Sequence, residues 1–238
     1  MTPTAALIVI GNEVLSGKVR DLNIHYLAKR LFELGVELRS VAVIPDEEEV
    51  IAETVRSTSL RVDSVFTTGG LGPTHDDVTL KAVARAFDLG MVHSPTLESL
   101  MESLYSFTPG PQLTALCHIP EGSELIHPPG ATYPQLVVRN VYLFPGVPDL
   151  VRQKFELIVD RFAATPFESR SVALNASEMQ ILAILDEAVA TYPVVRFGSY
   201  PSYEGGKESV LLTLDGLDTS SLDAAEAFLR QHLAGFLA

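Results

Sequence analysis

Apolar positions fall into two kinds of run along this chain, and the two alternate. Ala5 to Ile10 is unbroken and reads as a strand buried on both faces, the pattern of a parallel sheet. The spacing then changes: Ile24, Leu27, Leu31 and Leu34 mark one face of a helix that Gly35 stops. Val36 to Ile44 is a second strand, broken by Pro45-Asp46, and Asp46 with Glu49 has the spacing of an N-cap pair for a helix bearing Val50, Ile51, Thr54 and Val55. A third strand, Val62 to Phe66, runs into Thr67-Thr68-Gly69-Gly70-Leu71-Gly72-Pro73-Thr74-His75-Asp76-Asp77, and a helical pattern from Val78 to Phe87 leaves it. Thr74 and Asp77 have capping-box spacing at that helix start.

Beyond this, a helix is predicted after Ser94-Pro95 with Leu97, Leu100, Met101 and Leu104 inward, and Pro109-Gly110-Pro111 reads as a loop. Glu124 to Ile126 is a short strand. Leu136 to Val138 and Val141 to Phe144 form a hairpin turning at Arg139-Asn140, and a helix runs from about Asp149 to Phe162. Ala163 to Pro166 is a linker. A second series follows: strand Ser171–Leu174, a helix capped by Ser177 and running to about Thr191, strands Val194–Phe197 and Ser209–Leu214, and a helix Leu222–Leu233. The first series, β-α-β-α-β-α, predicts a doubly wound, mostly parallel α/β sheet with right-handed crossovers. The second, β-α-β-β-α, predicts a small ferredoxin-like α+β unit. Ligands of doubly wound sheets bind outside the carboxyl ends of the strands, where Gly11-Asn12-Glu13, Pro45-Asp46 and the glycine turn all fall.

Composition narrows the function classes. The 238 residues carry 17 basic and 30 acidic side chains, a net charge of -13, which argues against a nucleic-acid binder. From Ser169 onward four basic residues stand against nine acidic ones, so the second unit is not expected to bind RNA. The single cysteine, Cys117, excludes an internal disulfide, and its neighbours Leu116 and Ile119 favour a buried structural thiol over a nucleophile. No apolar stretch is long enough for a bilayer and no basic region precedes the first apolar run, so a soluble cytoplasmic protein without a membrane contact is expected.

The chemistry centres on the glycine turn. Three glycines in four positions let a backbone approach a ligand closely, and a helix start beyond them suits an anion. The turn is neither a Walker A loop nor G-x-G-x-x-G, and by itself it is equally a tight strand-to-helix connection. Asp76 and Asp77 read either as a cap with an exposed neighbour or as a pair facing a phosphate across a divalent cation. Their coincidence with a strand's carboxyl end favours the second reading. Glu13 is a ligand-facing carboxylate, while Asp46 is an N-cap or a ligand group. Asp21 and Asn23 either cap the next helix or reach the pocket, and Lys18, Arg20 and Lys81 are phosphate partners or solvated surface groups. His75 is an acid–base group or a plain loop residue, and the other histidines lack zinc spacing. Pro145-Gly146-Val147-Pro148 ends a strand or closes the pocket's far wall. No Ser/His/Asp or Cys/His arrangement stands out, so metal-assisted chemistry on a phosphate is favoured over covalent catalysis.

Val9 to Gly17, Asp21-Leu22-Asn23, Thr67 to Thr79 and Val141 to Pro148 together resemble the molybdopterin-binding-like domain of molybdopterin adenylyltransferases, of competence/damage-inducible protein A and of the amino-terminal half of eukaryotic FAD synthases. Thr74 to Thr79 and Val138 to Gly146 are most similar to the FAD synthase type, and Phe197 to Pro201 with Val210 to Leu214 resembles the segment after that domain. The resemblance implies a three-layer α/β/α domain over residues 1–165 and a small α+β domain over 169–238. It implies hydrolysis of the pyrophosphate in FAD or ADP-ribose, dependent on Mg²⁺, Mn²⁺ or Co²⁺. Asp76, Asp77 and Glu13 would be catalytic, Asp76 and Asp77 would hold the metal, and Gly69, Gly70, Gly72, Thr74, Lys81, Asp46 and Gly146 would hold the nucleotide. A homo-oligomer, dimer or trimer, is implied too. The competence-protein loop Asn-Pro-x-Gly-x-Ala-Pro-Gly is replaced here by His127 to Pro134, and no amidohydrolase or second large domain follows, so neither nucleotide deamidation nor FAD synthesis is expected. The alternatives are a molybdopterin-binding or molybdopterin-adenylylating protein, sharing the same loop, and a non-catalytic module that senses a nucleotide.

Overall fold

The computed structural model describes residues 2–104 and 116–238; the loop expected at Pro109-Gly110-Pro111 lies outside them. The chain divides into two units, Met1–Ala164 and Thr165–Ala238. In the first unit the elements run β1 (Thr4–Ile10), α1 (Asn12–Leu15), α2 (Asn23–Glu33), β2 (Glu37–Ile44), α3 (Glu48–Ser59), β3 (Ser64–Thr68), α4 (Thr79–Ala86), β4 (Met91–His93), α5 (Pro95–Leu104), β5 (His118–Pro120), β6 (Glu124–Ile126), β7 (Gln135–Val138), β8 (Val141–Phe144) and α6 (Pro148–Ile158).

Six strands form the main sheet in the order β2-β1-β3-β8-β7-β6. β2, β1, β3 and β8 are parallel neighbours, and β7 and β6 extend the sheet antiparallel. β1 lies inside it, which is why its sequence is apolar throughout: alternate side chains enter two separate cores. Ala5, Leu7 and Val9 pack with Leu27 and Leu31 of α2 and Phe155 of α6. Ile8 and Ile10 pack with Ile51 and Val55 of α3 and Val83 of α4. The result is the three-layer, mostly parallel α/β/α architecture. On the first face Phe66, Tyr142, Phe155 and Phe162 make an aromatic cluster, with the Phe155 and Phe162 rings stacked at 5.7 Å.

The hairpin turn falls at Arg139-Asn140, with Arg139 in the left-handed region at φ 55°. Local departures have local causes. β3 begins at Ser64 rather than Val62, because Asp63 is engaged with Thr4: its carboxylate accepts from the Thr4 N–H at 2.8 Å. The helix expected to reach Phe162 ends at Ile158 and finishes as a 3₁₀ turn, Val159–Arg161. β4 and β5, three residues each, pair as a separate antiparallel ribbon too short to carry a period in the sequence.

The second unit runs β9 (Glu168–Leu174), α7 (Glu178–Thr191), β10 (Arg196–Glu204), β11 (Lys207–Gly216) and α8 (Thr219–His232). Its antiparallel sheet has the order β10-β11-β9, with Val172, Leu174, Val210, Leu212 and Leu214 facing Ile181, Leu222 and Leu229 of the helices. This is the β-α-β-β-α unit expected from the sequence. Ser177 and Gln180 form the capping box of α7. β10 continues past the predicted Phe197 through Pro201; a proline is tolerated there because β10 is an edge strand.

Candidate functional site

The carboxyl ends of β1, β2, β3 and β8 converge on one cleft of about 410 Å³. Glu13 follows β1, Asp46 follows β2, Gly69 to Asp77 follow β3, and Pro145-Gly146-Val147 follow β8. Glu13, Asp46, Gly69, Gly70, Gly72, Asp76, Asp77 and Gly146 all line it, with Ile10, Leu71 and Val147 adding apolar wall.

Two of the glycines are required by the geometry. Gly69 has φ 102° and Gly70 φ 63°. A Cβ on Gly69 would collide with the Ile10 carbonyl oxygen, and one on Gly70 with Thr79 Oγ1. The loop closes on itself here: the Thr79 hydroxyl donates to the Gly69 carbonyl at 3.0 Å and the Thr79 N–H to the Gly70 carbonyl at 3.2 Å. The sequence places a helix start suited to an anion behind the turn, and one of its donors is engaged by the turn itself. The helix begins at Thr79, and its first N–H is already taken by the turn.

The Thr74–Asp77 pair forms, but inside the loop. Asp77 Oδ2 accepts from the Thr74 N–H at 2.9 Å and from the Thr74 hydroxyl, while the residue that precedes α4 is Val78. The pair therefore fixes a tight turn that presents Asp76 and Asp77, and does not cap the helix. The Asp76 side chain is 61% exposed. Its carboxyl is held below the ordinary aspartate range, first by the Thr74 hydroxyl and then by its own backbone N–H, so it is ionised at neutral pH.

Asp46 is not an N-cap. Glu47 occupies that position, without a side-chain cap, and Asp46 Oδ2 instead accepts from the Asn12 N–H at 2.7 Å, joining the loop after β2 to the loop after β1. Asp21 takes the capping role, accepting from the Ile24 N–H at 2.7 Å. Asn23 reaches the site, its Nδ2 donating to the Gly146 carbonyl at 2.9 Å. Gly146 is placed by that bond and not by crowding, since a Cβ there would meet Gly69 Cα at an ordinary 3.5 Å.

Thr74 and Lys81 do not line this cleft. Both border a second one, about 840 Å³, that shares Gly70, Leu71, Gly72 and Asp77 with the first. Lys18 lies in a neighbouring depression with Glu13, Asp46 and Asp76, and Arg20 lines a small recess of about 60 Å³. His75 is 98% exposed, and the His127 ring contacts the Ala131 carbonyl at 2.9 Å. Cys117 is buried, and burial raises its thiol pKa. Sequence reasoning missed the buried hydroxyls of Thr67 and Thr68, which have no hydrogen-bond partner beneath the turn; two polar residues ending an apolar strand were the available signal.

The cleft collects four carboxylates and, among the described residues, no basic side chain. Anions enter such a site only with a cation. The donor set is all carboxylate oxygen, which suits a hard ion such as Mg²⁺ or Mn²⁺. Among the described residues no group of three or more His, Cys, Asp or Glu converges tightly enough to hold an ion alone. A cation held by one or two carboxylates and completed by water and phosphate oxygens fits this arrangement.

Comparison with known proteins gives a consistent picture. Residues 6–165 match the family model described as "Probable molybdopterin binding domain", and residues 166–237 match "FAD synthase, middle domain". A protein of Archaeoglobus fulgidus is 37% identical over 195 residues, covering 82% of this chain and 84% of that one. A "Probable FAD synthase" of Caenorhabditis elegans is 31% identical over 264 residues, covering 98% of this chain and 50% of that one. This chain thus spans about half the length of that relative. Among solved structures, the protein CinA of Thermoplasma acidophilum, described as of unknown function, aligns with a TM-score of 0.63 and 26% identity over 68% of this chain and 98% of that one. With residues 6–165 matched, from β1 through the turn after α6, the chain belongs to the probable molybdopterin binding domain family.

Proposed function

We propose that the cleft binds the diphosphate of a dinucleotide, FAD or ADP-ribose, together with a divalent cation, and hydrolyses the phosphoanhydride. The observation that carries this reading is the convergence of Glu13, Asp46, Asp76 and Asp77 with the Gly69–Gly72 backbone on one cleft. A bound cation would supply charge neutralisation and polarise the phosphoryl oxygen. Asp76 and Asp77 are the groups that would hold it, their turn fixed by Thr74. The glycine backbone lets the phosphates approach without a side chain intervening, and Glu13, a further carboxylate of the same cleft, would orient water. Ile10, Leu71 and Val147 supply the apolar part of its wall. The match of residues 166–237 to an FAD synthase segment supports a flavin or adenine dinucleotide as ligand class.

Purified protein incubated with FAD or ADP-ribose and Mg²⁺, Mn²⁺ or Co²⁺ should release AMP. No turnover with any pairing defeats the reading. A second reading, binding or adenylylation of molybdopterin, is favoured by the family description itself. It takes first place if molybdopterin binds tightly while FAD and ADP-ribose remain inert. Self-association to a dimer or trimer belongs to the same proposal and is tested by light scattering.

A further inference from the structure

Two clefts adjoin at the Gly70–Asp77 loop. Gly70, Leu71, Gly72 and Asp77 border both. The first side is acidic. The second is larger, about 840 Å³, and differently made: Leu71, Val78, Leu80 and Met91 give it apolar walls, with Lys81 and His118 among the polar groups. Met91 is 37% exposed on the three-residue strand β4, so the cleft offers a thioether to whatever enters. Thioethers pack well against flat aromatic rings. Apolar walls with a few polar groups are the usual make-up of a small-molecule site.

We infer that the second cleft seats the planar heterocycle of a phosphate-bearing ligand whose phosphates lie at Gly70 and Gly72. This rests on the reading of the first cleft as a phosphate site. Gly70 and Gly72 line both clefts, so a ligand lying along them would reach from one into the other. The two faces divide the work by chemistry: carboxylates and a cation face the phosphates, and aliphatic side chains face the ring. Lys81, on the first turn of α4, stands at the cleft with a charge complementary to a phosphate. The ring is a flavin or an adenine, and the experiment separates the two.

Calorimetric titration of the full chain with FMN, AMP and inorganic pyrophosphate, each with Mn²⁺, tests the inference. Met91→Glu places a carboxylate in the apolar wall. It should weaken FMN or AMP by about tenfold or more and leave pyrophosphate within about twofold. The mononucleotide that weakens identifies the ring. Met91→Gln, a milder change at the same partly exposed position, provides a second variant if Met91→Glu fails to fold, and should also weaken that mononucleotide while leaving pyrophosphate unchanged. If wild-type protein binds these probes and neither variant changes a mononucleotide's affinity, the ring-site inference falls and the phosphate reading stands. If wild-type protein binds none of them, both fall.

Discussion

Asn23 Nδ2 donates to the carbonyl oxygen of Gly146 at 2.9 Å, and the asparagine is 3% exposed. One bond thus ties the start of α2 to the loop that forms the far wall of the cleft. Asn23→Ala leaves a carbonyl beneath that wall without its partner and should cost about 1–3 kcal/mol in urea unfolding. Asn23→Asp, which aims an acceptor at an acceptor, should cost more. An alanine variant as stable as wild type would show that the bond does not hold the wall.

The two left-handed glycines should not be equivalent to other glycines of the same φ. Gly17 has φ 71° and open space where a Cβ would stand, whereas Gly69 and Gly70 face the Ile10 carbonyl and the Thr79 hydroxyl. Gly17→Ala should cost about 1–2 kcal/mol, the left-handed penalty alone. Gly69→Ala adds a collision with backbone and should exceed that cost, with loss of ligand binding, in parallel denaturation and titration experiments.

Asp76 is exposed and its carboxylate supports no buried contact. Asp76→Ala should abolish AMP release while leaving unfolding free energy within about 0.5 kcal/mol. Asp77→Ala removes the acceptor of two Thr74 bonds. It should abolish release too, and additionally lower stability by about 1 kcal/mol.

The α2–α6 contact predicts an acid-sensitive term. Arg30 holds Glu156 through two bonds, at 2.7 and 2.9 Å, and the Tyr26 hydroxyl adds a third at 2.7 Å. The Arg30 guanidinium keeps the Glu156 carboxyl below the ordinary glutamate range. Its folded pKa is the lower one, so this contribution is whole above the unfolded value and is lost as pH falls through the folded value. Wild type should therefore exceed Glu156→Gln in stability at pH 7, and the gap should close toward pH 3, followed by urea titrations at each pH.

Cys117 is 1% exposed and its thiol pKa is raised by burial, with Glu98 and Glu102 adding to the shift. A thiol reagent such as Ellman's should leave the native protein unmodified at pH 7.5 and titrate one equivalent in guanidinium. Rapid native labelling would contradict a structural role.

Hydrophobic periodicity carries over into the structure where each element's burial is set by its own side chains. β1 is apolar throughout because both of its faces are covered, and Leu27 and Leu31 are fully buried because α2 has one apolar stripe. The glycine turn was legible because only glycine meets a left-handed φ and a crowded Cβ together. The roles of single polar groups were less legible. Asp46 and Glu49 have the spacing of a cap, yet Asp46 bonds Asn12, 34 residues away. Lys81 stands close to the paired aspartates in sequence, yet it lines only the second cleft and not the one where Glu13, Asp46 and Asp76 meet.

The sequence by itself determined the order of the longer strands and helices, the two-unit chain and the glycine turn after the third strand, because these follow from local spacing and from backbone conformations open to few residues. Tertiary structure decided which carboxylates share a cleft, that Asn23 holds Gly146, and that Lys81 borders a different cleft from Glu13, Asp46 and Asp76. Those facts depend on strand neighbours, β2-β1-β3-β8, that bring together loops distant along the chain. A hydrogen bond or a cleft wall between such loops has no signature in residue spacing, because its partners meet only after the sheet has formed.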